Sequence, residues 1–303
     1  MSIAFVFPGQ GAQYVGMGKA VYENFSEARE VFEEAAEVLG YSVADLCFNG
    51  PKEELNRTYR TQPCILTVSI ATLRVIQQRG IEPEVVAGHS LGEYSALVAA
   101  GVIDFRDALL LTEKRGRFMQ DTVPEGRGLM AAILGLGREQ VDEICLSVSS
   151  GYVAPANYNC PGQIVIAGEK EAVEEAISLA KEMGAKRAVP LAVSAPSHCA
   201  LMIDASKRLA EELKKIPFRP PKVPVVNNAD AMFLNTVESI KASLIKQLDS
   251  PLLWEDSIRV IIDAGIKTFF EIGPGKVLTG LIRRIDPSVT VKNTDSDLND
   301  ILK

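Results

Sequence analysis

The stretch VVAGHSLGEYSALVAAG, residues 85–101, decides the fold. It begins as a short apolar run, passes through G-H-S-L-G and continues as a second apolar segment. A strand, a sharp turn with a serine at its tip and a helix make up a nucleophile elbow. Gly88 and Gly92 flank Ser90 because such a turn brings backbones close together and strains the serine. A bare G-x-S-x-G arises by chance in glycine-rich turns. Here EVVAG predicts the strand before it, and residues 91–100 predict a helix buried all round. The motif leaves open what takes the acyl group from Ser90. Water makes a hydrolase, and another nucleophile makes a transferase.

Outward from the elbow, the pattern is one of strands alternating with helices. IAFVF, residues 3–7, is short, apolar and closed by Pro8-Gly9, and reads as a buried parallel strand. Residues 25–39 place Phe25, Ala28, Val31, Phe32, Ala35 and Leu39 at helical spacing. A second helix is predicted from Gln62 to Arg79 with Pro63 in its first turn, and a third from a capping Asp104 to about Gln120. Alternation of this kind implies a parallel sheet covered on both faces. The expected class is α/β, with a large α/β-hydrolase-like domain.

The order changes after VPEGRG, residues 123–128. GLMAAILG, Arg138–Ser149, YVAPANYN, QIVIAG, Lys170–Met183 and AKRAVPL follow as β-α-β-β-α-β, the ferredoxin-like order. We expect residues 126–192 to form a small inserted α+β domain, and residues 1–125 and 193–303 the large core. The segments Pro124–Gly128 and Pro190–Pro196 are its expected hinges. The core then resumes with a helix from Ser197, the strand VPVVN, helices at 236–248 and 254–264, the strand KTFFEIG, the helix GKVLTGLIRR and the strand VTVKN.

A chain of 303 residues, 47% hydrophobic and 23% charged, has the composition of an ordinary soluble globular protein. Its net charge of −7 argues against a nucleic-acid partner, since neutralising phosphates requires basic surface. An acidic protein partner would need a local basic patch. Cys47, Cys64, Cys145, Cys160 and Cys199 are odd in number and form no C-x-x-C, which fits neither a disulfide framework nor a zinc site. The N-terminus lacks a basic region followed by a long apolar run, and no segment reaches membrane-spanning length. The expectation is a cytoplasmic protein with no membrane association.

A serine nucleophile needs a base, and the chain has two histidines. His89 adjoins Ser90 and should point away from it, since neighbours on a sharp turn diverge. His198 lies in VSAPSHCALM, where a strand gives way to a helix. Ligands of open parallel sheets bind beyond the carboxyl ends of strands, so His198 is the expected base. Spacing places no carboxylate as a third member. A Ser–His dyad with the imidazole oriented by an amide or a backbone carbonyl is the alternative. The helix after Ser90 offers the N–H of Leu91 to a developing oxyanion. In FPGQGAQ, residues 7–13, Gly9 and Gly11 allow close approach around Gln10, whose N–H is the second candidate donor. That loop lacks the full dinucleotide pattern, and GPGKVLTG, residues 273–280, fails as a Walker A loop. By sequence alone, Arg115 is one more charge in the solvated run EKRGR.

Taken together, FPGQGAQ, GHSLGEYSALVAAG, KRGRFMQ, NYNCPGQIVIAG, SAPSHCALM and EIGPGKVLTGL resemble the malonyl-CoA:acyl carrier protein transacylases, acyltransferases of bacterial type II fatty-acid synthesis. The motifs stand in that family's order and span nearly the whole chain. The resemblance implies that Ser90 carries the acyl group, that His198 is its base and that Gln10 and Leu91 supply the oxyanion N–H groups. It implies that Arg115 grips the free carboxylate of malonate, that His89 and Asn159 line the substrate site and that Gln247 orients the histidine by its carbonyl. The implied substrates are malonyl-CoA and the phosphopantetheine thiol of acyl carrier protein, with ping-pong kinetics, no cofactor and no metal. A serine thioesterase, an acyltransferase serving polyketide synthesis and a non-catalytic binding protein are the rivals. The expected oligomeric state is a monomer. Acyl carrier proteins are generally acidic, so Lys186-Arg187 and Arg283-Arg284 are candidate docking pairs.

Overall fold

The computed structural model describes residues 2–124, 126–191 and 195–303. Among the described residues, ten strands form two sheets. The large sheet contains β1 (Ile3–Phe7), β2 (Val85–Gly88), β7 (Val225–Val226), β8 (Phe233–Leu234), β9 (Thr268–Glu271) and β10 (Thr290–Asn293), in the order β10-β9-β1-β2-β7-β8. Its first five members pair in parallel, and β8 turns back antiparallel on β7 at the edge. All five residues of β1 are buried, as both covered faces of a central parallel strand require.

The small sheet contains β3 (Gly128–Leu134), β4 (Val153–Cys160), β5 (Gln163–Glu169) and β6 (Arg187–Pro190) in the order β4-β5-β3-β6, antiparallel throughout. With helices Arg138–Ser147 and Lys170–Glu182 between its strands, it has the β-α-β-β-α-β order read from the sequence. Glu125 and residues 192–194, on which the expected domain boundaries and much of the second hinge fall, lie outside the described residues. β4 is stitched to the large sheet's side: the Tyr158 N–H donates to the Leu252 carbonyl at 2.9 Å, and the Leu252 N–H to that of Ala156 at 2.8 Å. Arg284 adds bonds to the Gln163 Oε1 at 2.6 Å and the Pro161 carbonyl at 3.1 Å. The cleft described below opens at this junction.

Two local expectations change. The second long helix runs Thr58–Gln77, so Pro63 is its sixth residue and lies inside it. The proline is tolerated there because the helix is buried on nearly every side, and tertiary packing overrides the local penalty. Asp104 does occupy the N-cap position of helix Phe105–Thr122, but its carboxylate forms a fork with Arg219 at 2.8 and 2.7 Å and does not cap. Helices Lys19–Asn24, Val43–Asn49, Lys52–Leu55 and Thr294–Ile301 add to the elements expected from the sequence.

Candidate active site

Ser90 sits between β2 and helix Gly92–Ala99 with φ of 52°, in the left-handed region that a non-glycine residue enters only under constraint. The constraint is visible in its neighbours. A Cβ on Gly88 would lie 1.9 Å from the Gly92 carbonyl carbon, and one on Gly92 would lie 2.0 Å from the Phe7 carbonyl oxygen. The β2–helix turn is therefore pressed against the end of β1, and only glycines fit. Asn228, just beyond β7, accepts the Ser90 N–H on Oδ1 at 2.7 Å and ties down the tip.

His198 reaches the same point from the other side of the chain, also with a left-handed φ of 63°. Its Nε2 lies 2.8 Å from Ser90 Oγ, and its Nδ1 lies 2.7 Å from the Gln247 backbone carbonyl. A carbonyl oxygen only accepts, so Nδ1 carries the proton and Nε2 is bare toward the serine hydroxyl. The His198 N–H donates to the Leu248 carbonyl at 3.1 Å, fixing the residue to the end of helix Val237–Asp249. Among the described residues, no carboxylate takes the third place. A backbone carbonyl fills it, the kind of partner the sequence left open.

Burial, and next the Arg115 charge, push the His198 pKa down to about 3, from an ordinary 6.5. The imidazole is thus held neutral, with the Nε2 lone pair facing the Ser90 hydroxyl. Nitrogen NMR should show His198 keeping its pattern of protonated Nδ1 and bare Nε2 down to about pH 5, where an exposed histidine is mostly cationic. A midpoint near the ordinary value would contradict this electrostatic picture.

Arg115 is 1% exposed, not the solvated charge that the run EKRGR suggests apart from the family resemblance. Gly116 allows helix Phe105–Thr122 to close on helix Thr58–Gln77: a Cβ there would meet the Tyr59 Cα at 2.5 Å. This close approach buries Arg115. Its Nη1 donates to Gln62 Oε1 at 2.9 Å, and its Nη2 to Gln247 Oε1 at 2.9 Å and Ser90 Oγ at 3.2 Å. Its Nε–H is buried without a partner, and no carboxylate oxygen of the described residues comes within 4.0 Å. A buried guanidinium beside a serine hydroxyl and lacking a direct counter-charge is an acceptor site for an anion.

His89 points away from the Ser90 hydroxyl. Its Nε2 lies 2.9 Å from Asn159 Oδ1 on β4, and its ring stands edge-on to Trp254. Together His89 and Asn159 join the two sheets at the cleft wall. Gln10 lies in the loop after β1, on the cleft facing Ser90 and His198. A Cβ on Gly9 would meet the His89 carbonyl oxygen at 2.2 Å, so this loop lies directly on the serine turn. Among the described residues, the backbone N–H groups of Gln10 and Leu91 have no acceptor. Apolar side chains, including Met119, Met130, Val165, Leu191 and Leu281, line much of the rest of the cleft.

The helix start after the GPGK turn is already occupied. The buried Glu271 carboxylate already accepts the N–H groups of Leu278 and Thr279 at the start of helix Val277–Ile285, at 2.9 and 2.7 Å. Three polar partners escaped the sequence reading: Gln62, Asn228 and Glu93. Glu93 carried the one available signal, a carboxylate inside a helix that reads as buried all round.

The acyl transferase domain family matches residues 4–293. The malonyl CoA-acyl carrier protein transacylase of Escherichia coli (strain K12) is 52% identical over 289 residues, 95% of this chain and 94% of that one. The enzyme of that name from Bacillus subtilis is 49% identical over 286 residues, 94% of this chain and 90% of that one. Among solved structures, an acyl carrier protein S-malonyltransferase from Vibrio cholerae is 49% identical with a TM-score of 0.96, covering 100% of both chains. A malonyl-transacylase in complex with its type II PKS acyl-carrier protein is 48% identical with a TM-score of 0.98, covering 100% of this chain and 99% of that one.

Proposed function

The chain belongs to the acyl transferase domain family, and from that premise we propose how its site moves a malonyl group from malonyl-CoA to the thiol of acyl carrier protein. The observation that carries the reading is the buried Arg115 guanidinium, 3.2 Å from the Ser90 hydroxyl and without a direct counter-ion among the described residues. Malonyl differs from acetyl by one carboxylate, and a planar guanidinium holds a carboxylate with two parallel bonds.

Ser90 Oγ attacks the thioester carbon while its proton passes to His198 Nε2. The tetrahedral oxyanion takes the N–H groups of Gln10 and Leu91. Loss of one such donor typically lowers the rate by about 10²–10³. The C–S bond breaks, the CoA sulfur takes the proton from His198 and malonyl remains on Ser90 as an ester. The carrier's thiol then gives its proton to His198 and attacks that ester, and Ser90 Oγ leaves and recovers the proton. The Gln247 carbonyl holds the imidazole in its working tautomer through both halves. His89 and Asn159 shape the wall against which the acyl group lies. These steps need no cofactor and no metal.

The deciding experiment is a pulse of malonyl-CoA followed by a chase with holo acyl carrier protein or with buffer, read by intact mass. A malonyl adduct cleared rapidly by the carrier and slowly by buffer supports the transferase. Equal clearance by both makes the chain a thioesterase. Carriers from fatty-acid and polyketide synthesis belong in the chase side by side, because the structural neighbour in complex acts with a polyketide carrier.

The carrier, if acidic, should dock on a local basic patch, for which Lys186-Arg187 and Arg283-Arg284 are the candidate pairs. Arg284 is committed to Gln163 and Pro161, and Arg283 to the Val291 carbonyl at 3.0 Å, so reversing those charges would also break internal contacts. Lys186 and Arg187, at the start of β6, are the cleaner pair. Lys186→Glu with Arg187→Glu should raise the carrier KM by roughly tenfold, in line with ordinary losses of complementary charge. An unchanged carrier KM would remove this face from consideration.

Among the described residues, no helix is long and apolar enough to cross a membrane. All five cysteines are free, which supports a reducing, cytoplasmic setting. We place the enzyme there as a monomer that works without membrane or nucleic-acid partners.

A further inference from the structure

Glu93 lies three residues after Ser90 in the helix Gly92–Ala99 and is fully buried. The acyl-transfer steps make no use of it. Its Oε2 accepts the Gln247 Nε2–H at 2.9 Å and the Asn228 N–H at 3.2 Å, while Oε1 has no partner. Gln247 in turn donates from Nε2 to the Ser90 carbonyl at 3.0 Å and accepts from Arg115 Nη2 on Oε1 at 2.9 Å. The orientation of this amide is forced. A guanidinium only donates and an ionised carboxylate only accepts, so oxygen must face Arg115 and nitrogen must face Glu93.

We propose that Glu93 is the counter-charge of Arg115, held one amide away through Gln247, and that this spacing tunes the preference for acyl groups that carry a free carboxylate. The inference rests on the reading of Arg115 as the carboxylate-binding residue. A buried cation with no counter-charge is costly to fold around. A direct Arg–Glu fork would remove that cost but occupy the N–H groups that the substrate needs. One intervening amide keeps the site near neutral and leaves the guanidinium open on its serine side.

When a malonyl carboxylate arrives, two negative charges share one Arg115. The groups around Glu93 that carry or can gain charge are Arg115 from helix Phe105–Thr122, Tyr94 on its own helix and His198 beyond Gln247. Asn228, Ser243 and Gln247 are neutral. Tyr94 is held protonated, pushed up to about 12 by burial, and His198 is held neutral, so Glu93 is the group free to respond near neutrality. Burial lifts its carboxyl to about 7. Protonation of Glu93 therefore relieves the repulsion and favours the dicarboxylic substrate.

The test is the ratio of kcat/KM for loading from malonyl-CoA to that from acetyl-CoA, measured for wild type and Glu93→Gln from about pH 6 to 8.5. Both thioesters carry the same CoA, so its own titration cancels in the ratio. Glutamine keeps an acceptor for Gln247 and removes the charge. The wild-type ratio should rise about tenfold from the alkaline to the acid end, the order expected for one like-charge repulsion relieved in a partly polar site. In Glu93→Gln it should be flat and at the high value. A wild-type ratio that does not change with pH overturns the proposal, and so does a folded Glu93→Gln whose ratio still follows the wild-type curve. Where the variant fails to fold, the wild-type profile alone decides. Arg115→Met separates the two readings. If it abolishes malonyl preference while the wild-type ratio ignores pH, only the role of Glu93 falls. If it leaves the preference intact, the reading of Arg115 falls first.

Discussion

Ser90→Ala should carry no malonyl adduct after exposure to malonyl-CoA and should transfer to carrier more slowly by about 10⁴–10⁶, as for other enzymes that lose a nucleophile. The size follows from the lack of a substitute. Cys199 adjoins the base and Cys160 ends β4, but burial pushes the Cys199 thiol up to about 12 and raises that of Cys160 as well. Neither supplies thiolate near neutrality. Alanine meets the same backbone constraint at φ 52° as serine and adds no bulk against Gly88 or Gly92, so the turn should survive. What goes is the bond to His198 Nε2 and the acceptor for Arg115 Nη2. Intact mass reads the adduct, and a melting curve verifies the fold. A well-folded Ser90→Ala that still accumulates an adduct would move the nucleophile elsewhere and remove the basis of the mechanism.

Arg115→Met should lower kcat/KM for malonyl-CoA by about 10²–10⁴, while acetyl-CoA falls far less or improves. Two charge-assisted hydrogen bonds to a buried carboxylate contribute about 3–6 kcal/mol together, and each 1.4 kcal/mol is a factor of ten. An acetyl group makes neither bond. It also gains from the loss of the Arg115 contact to Ser90 Oγ, and of the charge that depresses His198. Methionine is preferred to alanine because Arg115 is among the largest fully buried side chains, and a void there would confound the result. The oxygens of Gln62 and Gln247 lose their donor, so stability should drop as well, and the malonyl-to-acetyl ratio is the informative quantity. A ratio unchanged from wild type would mean that the carboxylate is read by another group.

The serine turn was legible because its requirements fall on adjacent residues. A strand ending in Gly88, a strained Ser90 and a helix opening at Gly92 are steric demands of one turn, and local sequence must meet them. The ferredoxin-like order was legible for a related reason: strand and helix periodicities change every few residues between Gly128 and Pro190. His198 was singled out by elimination between two histidines, which depends on composition rather than on geometry, and the structure places its Nε2 2.8 Å from Ser90 Oγ.

The sequence by itself thus determined the strained serine turn, the alternation of elements and the two histidines from which a base could be chosen. Tertiary structure decided what surrounds them. Arg115 reads as one charge in a solvated run, yet Gly116 against Tyr59 buries it, and its partners Gln62 and Gln247 lie 53 and 132 residues away. The partner that orients His198 is a main-chain carbonyl, which every residue possesses and no side-chain pattern announces. Helix Thr58–Gln77 begins before Pro63 because neighbouring elements bury it, not because its residues favour that start. Local propensity acts over a few bonds and is written in neighbouring residues. Burial of a charge and the direction of an amide depend on segments that meet only when the chain has folded.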